Sequence, residues 1–528
     1  MMKQIYYLFA LLVSITSFTS CYDDKGNYNY TEVNEIVIDT VGFRTQYTVE
    51  VTKQLVIDPK ITFTRSNVAE EDLSYEWYFF SDESSNTVWY PVSTEKKLDM
   101  AVIYDPKDYT AMLFVKDNKN NLTSNMRFRV RVISRISHGL LVLHNNGTTG
   151  DFDYIATGNT VEGLEENVRI ANAFETVNGR KLHGKPLIVR QMSIDGRGVN
   201  RIYLSSDQEF LQLNGRNFSF EMDDSELFVQ RPEKLYMEAI SGQGSASAAI
   251  YINDGRVHTI SFGAQHYTDP MIPPAQNPGS SLTGQIKLAP YILLLYINYA
   301  NVPFFYDMMG KRFTYLANIA QPTASLEKYT TQDPAAVFDV NNIGKDLLFM
   351  KVGFNTYGYA AFTSGPGDLW LYIINFGTTL TGTNIAHAKH DLSALPGAQN
   401  ASFFETGHRG DVFLYANNRD IYSVNYTASP VFATQINDAF PAGEEITAMK
   451  IFYFDGVIYA PGAGQLPFYT DMNGTLLYVA TWNGTQGKLY EFRLNVADGT
   501  ITKTPLNVFD GFGRITDMGV KMQYRDTF

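Results

Sequence analysis

The sequence predicts an all-β protein in which a small β-sandwich precedes a β-propeller. Aromatic residues make up 14% of the chain, and aromatic side chains fit the pleated surface of strands. Residues 126–132 alternate strictly between apolar side chains and arginine, which is typical of a strand with one buried face. From about residue 138 onward, a unit of strand, polar turn and second strand recurs along the chain.

The N-terminus carries a targeting signal. Lys3 precedes an apolar run from Ile5 to Val13, which is too short to span a bilayer as a helix. Small residues then lead to Cys21, the single cysteine of the chain. The pattern resembles a bacterial lipobox, although Phe18 stands where leucine is usual. The resemblance implies a signal peptide over residues 1–20 and lipid on Cys21, anchoring the protein in the outer membrane. The alternative is a secreted protein with a lone thiol.

A polar tether follows over residues 21–34, because this stretch has no apolar periodicity. Asp23 and Asp24 lie just after the expected lipid. They resemble the surface-export signal of Bacteroidetes lipoproteins, which implies a position on the cell exterior. A solvated acidic tail is the alternative.

Length and charge limit the remaining possibilities. The chain has 528 residues, too many for one ordinary domain. Its net charge is −13 and no block of lysine or arginine occurs, so nucleic acid is not expected as a partner. No second apolar run is long enough to cross a membrane; residues 291–297 are expected to form a buried strand.

Residues 35–134 are predicted to form an Ig-like sandwich. Residues 74–80 alternate so that Tyr75, Trp77 and Phe79 share one face, and a mid-strand tryptophan commonly fills the core of such sandwiches. Residues 109–115 form a second strand, which leads through a turn rich in Asn and Asp to the return strand at 125–132.

These features together resemble a known family. The lipobox, the residues 22–28 that follow it, Trp77 in its strand and the strand and turn at 109–121 are similar to the PKD-like lipoproteins of Bacteroidetes. The resemblance implies a PKD-type domain followed by a larger C-terminal region. It also implies that the gene lies near an outer-membrane importer pair of the SusC/SusD type.

Residues 135–528 are predicted to form a seven-bladed propeller. Seven units start on average about 56 residues apart, close to the length of a blade with long loops. An additional strand precedes several units, at 191–193, 236–239 and 446–449, and a further one, at 515–518, has no unit after it. The first unit, at residue 139, lacks such a strand. We therefore expect the C-terminal strand to join the first unit and close the ring. An open stack of sheets, or two further sandwiches, is the alternative.

The motifs of common catalytic sites are missing from the sequence, so we predict no catalytic residue, no metal site and no cofactor. His387 and His390 are expected in a solvated loop, and Asp151 and Asp153 in a turn. A carboxylate pair from different blades stays open as an alternative, because sequence alone cannot select one. Trp482, beside a turn, is a candidate for stacking on a sugar or a partner, with a structural role as the alternative.

The expected function is that of a non-enzymatic surface lipoprotein. It would bind a glycan or peptide, or the importer itself, in SusC/SusD-like nutrient uptake. The alternatives are a surface enzyme acting on glycan or peptide, and a structural or adhesive protein. A loop over residues 265–281 contains four prolines, and such a stiffened loop is suited to contacting a ligand or partner. Packing of this loop on its own blade is the alternative.

Overall fold

A computed structural model provides the structure. It describes residues 33–41, 43–83, 86–193, 200–242, 248–261, 282, 284–297, 300–317, 325–329, 335–375, 385–437, 440–453 and 472–522. The predictions for Cys21, Asp23, Asp24 and residues 265–281 lie outside these ranges. Across the same ranges, helices are short, and none has the length and apolar character needed to span a bilayer.

The first nine strands form the N-terminal sandwich. A five-stranded sheet has the order β2-β9-β8-β5-β6, and two two-stranded sheets, β1-β4 and β3-β7, complete the fold. Strands β2 and β9 are parallel, and the other pairs are antiparallel. The strands are β1 (Ile36–Ile38), β2 (Gln46–Glu50), β3 (Gln54–Ile57), β4 (Ile61–Phe63), β5 (Leu73–Glu83), β6 (Asn86–Ser93), β7 (Leu98–Ala101), β8 (Asp108–Asp117) and β9 (Leu122–Ile133), with a 3-10 turn at Glu70–Asp72.

The core of the sandwich forms around Trp77, as the alternation predicts. Tyr75, Trp77 and Phe79 on β5 are all buried. The indole N–H of Trp77 donates a hydrogen bond to the backbone oxygen of Glu95 at 2.7 Å, so the polar atom of this buried side chain is satisfied. The inward residues of β9 pack against the same cluster. The predicted one-sided strands are therefore confirmed.

Seven successive sheets follow within the described residues, and we number them 1 to 7 in chain order. In sheets 2 to 7, every strand pairs with its neighbour in the sequence. Sheet 1 contains β10 (Gly139–Asn145), β11 (Thr149–Ala156), β12 (Val168–Ile170) and β13 (Leu182–His183). Sheet 2 contains β14 (Pro186–Ser193), β15 (Asn200–Ser206), β16 (Phe210–Asn214) and β17 (Phe220–Asp223). Sheet 3 contains β18 (Met237–Gly242), β19 (Ala248–Asn253) and β20 (Arg256–Ser261).

The remaining sheets repeat this arrangement. Sheet 4 contains β21 (Leu293–Ile297), β22 (Ala300–Asp307), β23 (Arg312–Ala317) and β24 (Ser325–Glu327). Sheet 5 contains β25 (Asp346–Val352), β26 (Gly358–Thr363), β27 (Trp370–Ile374) and β28 (Ala386–Asp391). Sheet 6 contains β29 (Phe403–Thr406), β30 (Phe413–Ala416), β31 (Ile421–Asn425) and β32 (Phe432–Gln435). Sheet 7 contains β33 (Glu445–Ile451), β34 (Leu476–Trp482), β35 (Gly487–Arg493) and β36 (Asn507–Phe512). Short helices occur at Ala173–Asn178 (α1) and Asp224–Leu227 (α2), and 3-10 turns at Phe354–Thr356 and Ala398–Asn400.

The last strand, β37 (Arg514–Lys521), belongs to sheet 1. It pairs antiparallel with β10, with Leu140 opposite Val520 and Val142 opposite Met518. The sequence predicts this pairing, since residues 515–518 have no unit of their own. The contact removes an exposed edge at both β10 and β37.

Apolar clusters hold the seven sheets together. One cluster fills each gap between consecutive sheets, and another lies between sheets 7 and 1, where Tyr478 packs with Val142 and Met518. Polar groups also link sheets 7 and 1, because the buried carboxylate of Glu491 accepts a hydrogen bond from the amide of Asn159 at 2.8 Å. The C-terminal region is therefore stabilised by contacts between neighbouring sheets.

Asp151 and Asp153 are not in a turn, in contrast to the sequence prediction. Both lie in β11 and are buried. Asp153 accepts hydrogen bonds from His144 at 2.9 Å and from Arg169 at 2.7 Å. Asp151 accepts backbone N–H groups at the start of α1, including that of Phe174 at 3.0 Å. These hydrogen bonds offset the free-energy cost of burying the two carboxylates. The residues next to the two aspartates in the sequence do not show which groups will supply them.

His387 and His390 lie on β28, the outer strand of sheet 5, rather than in the predicted loop. The polar strand forms because β27 supplies backbone partners along it, with a shift of register at His387. The ring of His387 packs against Tyr357 and that of His390 against Tyr426. Within the described residues, neither histidine belongs to a group of three or more His, Cys, Asp or Glu side chains that could hold a metal ion.

Candidate functional site

A central cavity is the candidate functional site. Its volume is about 600 Å³, within the usual range for small-molecule sites. It is lined by the first strand of each of sheets 2 to 7 and by β37 of sheet 1. Each of these strands lies at an edge of its sheet, so all seven sheets present one strand to the same space.

An ion pair lies in the wall of the cavity. Nζ of Lys351 on β25 is 2.8 Å from Oε2 of Glu405 on β29. The two side chains are only 10% and 5% exposed. The pair links sheets 5 and 6 and neutralises a carboxylate that would otherwise be buried alone.

A second set of polar contacts joins sheet 2 to the last strand. The guanidinium of Arg190 on β14 donates to both carboxylate oxygens of Asp517 on β37. The backbone N–H of Val189 also donates to Asp517, at 3.0 Å. Next to them, the side chain of Gln191 exchanges two hydrogen bonds with the backbone of Met522. Paired hydrogen bonds of this kind fix the position of β37 beside β14, the first strand of sheet 2.

His408 and Thr447 supply unpaired polar atoms to the cavity. His408 stacks on Tyr453, with ring centroids 3.5 Å apart and planes inclined by 8°. Burial, together with the nearby charges of Lys351 and Lys450, lowers the pKa of His408 well below its ordinary value, so the ring is neutral near pH 7. Nε2 of His408 and Oγ1 of Thr447 are buried, and neither atom donates or accepts a hydrogen bond within the described residues. Buried polar atoms normally have partners, so this wall of the cavity is suited to a polar ligand.

The acidic residues of the cavity do not form a matched catalytic pair. Glu405 and Asp517 are each held by a cation. Burial raises the pKa of Glu238, whose carboxylate accepts the backbone N–H of Gly255 at 2.9 Å. Over the residues that the structure describes, no cluster of three or more histidine, cysteine or acidic side chains is arranged to hold a metal ion. The lining is thus equipped for hydrogen bonding and charge recognition.

Trp482 is not part of this cavity. It lies at the end of β34, opposite Gly487 and Glu445, and is partly buried. Trp370 is also partly buried; it packs against the core between sheets 4 and 5, and its indole donates to Asp368 at 2.7 Å. These contacts give Trp370 a structural role.

Sequence reasoning missed the residues that line the cavity. A usable signal was present, because charged residues interrupt short apolar strands at positions such as Glu238, Lys351 and Glu405. All four of the additional strands predicted from the sequence, at 191–193, 236–239, 446–449 and 515–518, correspond to lining strands, namely β14, β18, β33 and β37. The sequence located those strands without indicating what they surround.

Comparisons with known proteins support the N-terminal assignment. Residues 21–186 match the PKD-like family. The match covers the sandwich and continues through β10 to β13 of sheet 1, and it spans less than half of the chain. No curated protein sequence matches this chain.

Several solved structures resemble the chain at low sequence identity. A quinonprotein alcohol dehydrogenase-like protein from Bacteroides thetaiotaomicron aligns with a TM-score of 0.40 and 11% identity, over 90% of this chain and 98% of that one. The β-propeller domain of Cps50 (Swd1) from Myceliophthora thermophila aligns with a TM-score of 0.34 and 10% identity, over 62% and 87%. The WD40 domain of SCAP from fission yeast aligns with a TM-score of 0.34 and 8% identity, over 69% and 79%.

Proposed function

We propose that the seven sheets are the blades of a closed propeller and that its central cavity binds a small polar ligand. Three features support the closed ring: the pairing of β37 with β10, the apolar cluster between sheets 7 and 1, and the contact of Arg190 with Asp517. In such a ring the inner strands converge on one axis, which is where the cavity lies.

The ligand is a glycan or peptide fragment rich in hydrogen-bonding groups. The observation that carries this proposal is the pair of buried, unpartnered atoms in the cavity, Nε2 of His408 and Oγ1 of Thr447. A hydroxyl or amide of a ligand would satisfy both atoms. Because His408 is neutral, Nε2 can act as an acceptor or as a donor, depending on the tautomer.

In the cell, the protein would act as a non-enzymatic lipoprotein on the outer surface of the outer membrane. Its lipid would be carried by Cys21, and it would serve a SusC/SusD-type importer as an accessory binding component. The lipobox pattern and the acidic residues Asp23 and Asp24 support this location. The ion-paired state of Glu405 and Asp517 favours binding over hydrolysis.

A binding experiment tests the role of the cavity. Purified mature protein would be titrated with mixtures of oligosaccharides and of oligopeptides, and binding would be read from the rise in Tm and confirmed by calorimetry. Thr447→Val should weaken the Kd of the selected ligand by about three- to tenfold, since one hydrogen bond is lost. Thr434→Val is the matched control, because Thr434 is exposed on the outer strand β32. Equal weakening in both variants would contradict the proposal.

A second experiment separates binding from catalysis and tests the partner. The tagged protein is expected to co-purify with an outer-membrane importer from native membranes. It should release no product from the glycans or peptides that it binds. Turnover that disappears in Glu238→Gln would show instead that the cavity is an active site. That residue is chosen because burial raises the pKa of its carboxyl group, as a general acid requires.

A further inference from the structure

The solvent-facing side of the N-terminal sandwich carries an aromatic strip, which we define as Tyr78, Phe80, Trp89 and Phe114. Register places these residues on one face: Phe80 lies opposite Trp89, and Tyr78 lies next to them on β5. Phe80 is buried beneath the other rings, and none of the four belongs to the apolar cluster that fills the other face of the same sheet. Trp89 is 47% exposed, an unusual position for the largest side chain on a strand at the edge of a sheet.

The rings of the strip hold one another in place. The ring of Phe80 lies 4.6 Å from that of Trp89 at an angle of 31°, and it supports one side of the indole. Tyr78 stands nearly perpendicular to Trp89 at 5.5 Å and to Phe114 at 6.1 Å. These are favourable edge-to-face geometries. These neighbouring rings restrict rotation of the Trp89 side chain, while part of its indole surface stays accessible to a ligand.

Polar and cationic groups border the strip. The guanidinium of Arg127 lies over the ring of Phe80 at 5.8 Å, and the hydroxyl of Tyr78 donates to Glu76 at 3.2 Å. Arg129 is also exposed; it lies two residues further along β9, on the same face and opposite Thr110. In the part of the chain that the structure describes, neither arginine forms a salt bridge, whereas Arg131 is paired with Asp108 and Glu162. Two available cations are thus concentrated beside the rings of a protein whose net charge is −13.

We propose that this face binds an extended acidic glycan, such as a chain of uronic acid units. The flat apolar side of a sugar ring would stack on Trp89, and the carboxylates would contact Arg127 and Arg129. Trp89 on β6, Tyr78 on β5 and Phe114 on β8 follow a diagonal across the sheet, with ring centroids 5.5 Å and 6.1 Å apart. An extended chain lying along this diagonal would contact the three rings in turn, and Arg127 and Arg129 on β9 would lie beside it. The proposal does not depend on the central cavity.

The composition of the face favours a glycan over a protein partner. A protein-binding patch typically surrounds its aromatic anchors with an apolar centre that excludes water. Here Glu76 lies opposite Phe114 and Thr110 opposite Phe80, and Met112 separates Tyr78 from Arg127, so hydrogen-bonding groups border the apolar surfaces. Sugars present the same mixture of flat apolar faces and polar edges.

Calorimetric titration of the full mature protein with polygalacturonate, and in parallel with uncharged dextran, tests the proposal. We expect polygalacturonate to bind, dextran to bind at least about tenfold more weakly, and added salt to weaken the acidic complex. Trp89→Ala should reduce the affinity for polygalacturonate about tenfold or more, in the range found for aromatic anchors. Arg127→Gln should also weaken binding and should reduce its dependence on salt.

Phe432→Ala provides the matched control. Phe432 on β32 is likewise 47% exposed, but it lies in sheet 6, away from the sandwich. Its replacement should leave binding unchanged, and the melting curves of all variants report whether each is folded. Absence of polygalacturonate binding, equally tight binding of dextran, or equal losses in Phe432→Ala and Trp89→Ala would overturn the proposal. A dimer that is abolished by Trp89→Ala, without glycan binding, would assign the face to a second copy of the chain and would also overturn it.

Discussion

Breaking the buried ion pair of the cavity should destabilise the C-terminal region strongly. In Glu405→Gln, the ammonium of Lys351 loses a carboxylate oxygen that lies 2.8 Å away. The side chain of Lys351 is only 10% exposed, so water compensates poorly for the lost partner. The variant therefore leaves a charge buried without its counterion.

The size of the effect follows from the geometry. At 2.8 Å, two unit charges attract by about 6 kcal/mol if the effective dielectric constant is about 20. Part of this attraction offsets the cost of removing both charges from water, and losing one partner of a buried pair typically costs about 3–5 kcal/mol. With an unfolding entropy of about 2.1 cal/mol/K per residue over roughly 390 residues, about 4 kcal/mol lowers Tm by about 5 °C.

Scanning calorimetry of the wild type and three variants measures this effect. Asp99→Asn is the matched control, because Lys97 and Asp99 form a pair at 2.9 Å whose side chains are 49% and 43% exposed. Such surface pairs contribute little to stability, because water screens both charges. The double change Lys351→Met with Glu405→Leu should be close to wild type or more stable, since it removes both charges together. If the Glu405→Gln and Asp99→Asn proteins had the same melting temperature, the reasoning would be refuted.

Three other predictions concern separate parts of the molecule. Burial raises the pKa of Asp151 to about 6, so the folded state binds more protons than the unfolded chain between about pH 4 and pH 6, and stability should fall as pH rises through this window. Asp151→Asn should flatten that slope in a comparison of melting temperatures with wild type, and an unchanged slope would assign it to other groups. Trp77→Ala should cost about 3–5 kcal/mol in urea unfolding, because its side chain is 1% exposed in the sandwich core; a loss below about 1 kcal/mol would contradict this packing. Cys21→Ser should abolish labelling by a clickable fatty acid, and equal labelling of the variant and the wild type would exclude the lipid anchor. Replacing Asp23 and Asp24 by alanine should protect the protein from protease added to intact cells, and protection already in the wild type would exclude the surface location.

Local patterns in the sequence were sufficient to identify most strands. Along β5 and β9 the side chains alternate, and alternation directly indicates which face is buried, because successive residues point to opposite sides of a sheet. The burial of Tyr75, Trp77 and Phe79 was predictable for this reason. The lone strand at 515–518 likewise suggested a partner at the beginning of the repeats, since an unpaired strand is unfavourable.

Charged residues were harder to place, because their burial depends on partners that are distant in the sequence. Asp153 is buried only because Arg169 and His144 reach it. His387 and His390 lie on a strand because β27 provides the backbone partners. Neither contact follows from the residues on either side in the sequence, so both segments were predicted to be turns or loops.

Patterns along the chain were enough to predict the all-β class, the one-sided strands of the sandwich and the recurrence of strand units in the C-terminal region. The residues that surround the cavity became evident only once the sheets were seen together. Lys351 and Glu405 are 54 positions apart, and Arg190 and Asp517 are 327 positions apart. They meet because sheets separated in the sequence present their edge strands to the same space. Strand patterns reflect each strand's own two faces, whereas a site between sheets depends on how separate strands are arranged around it.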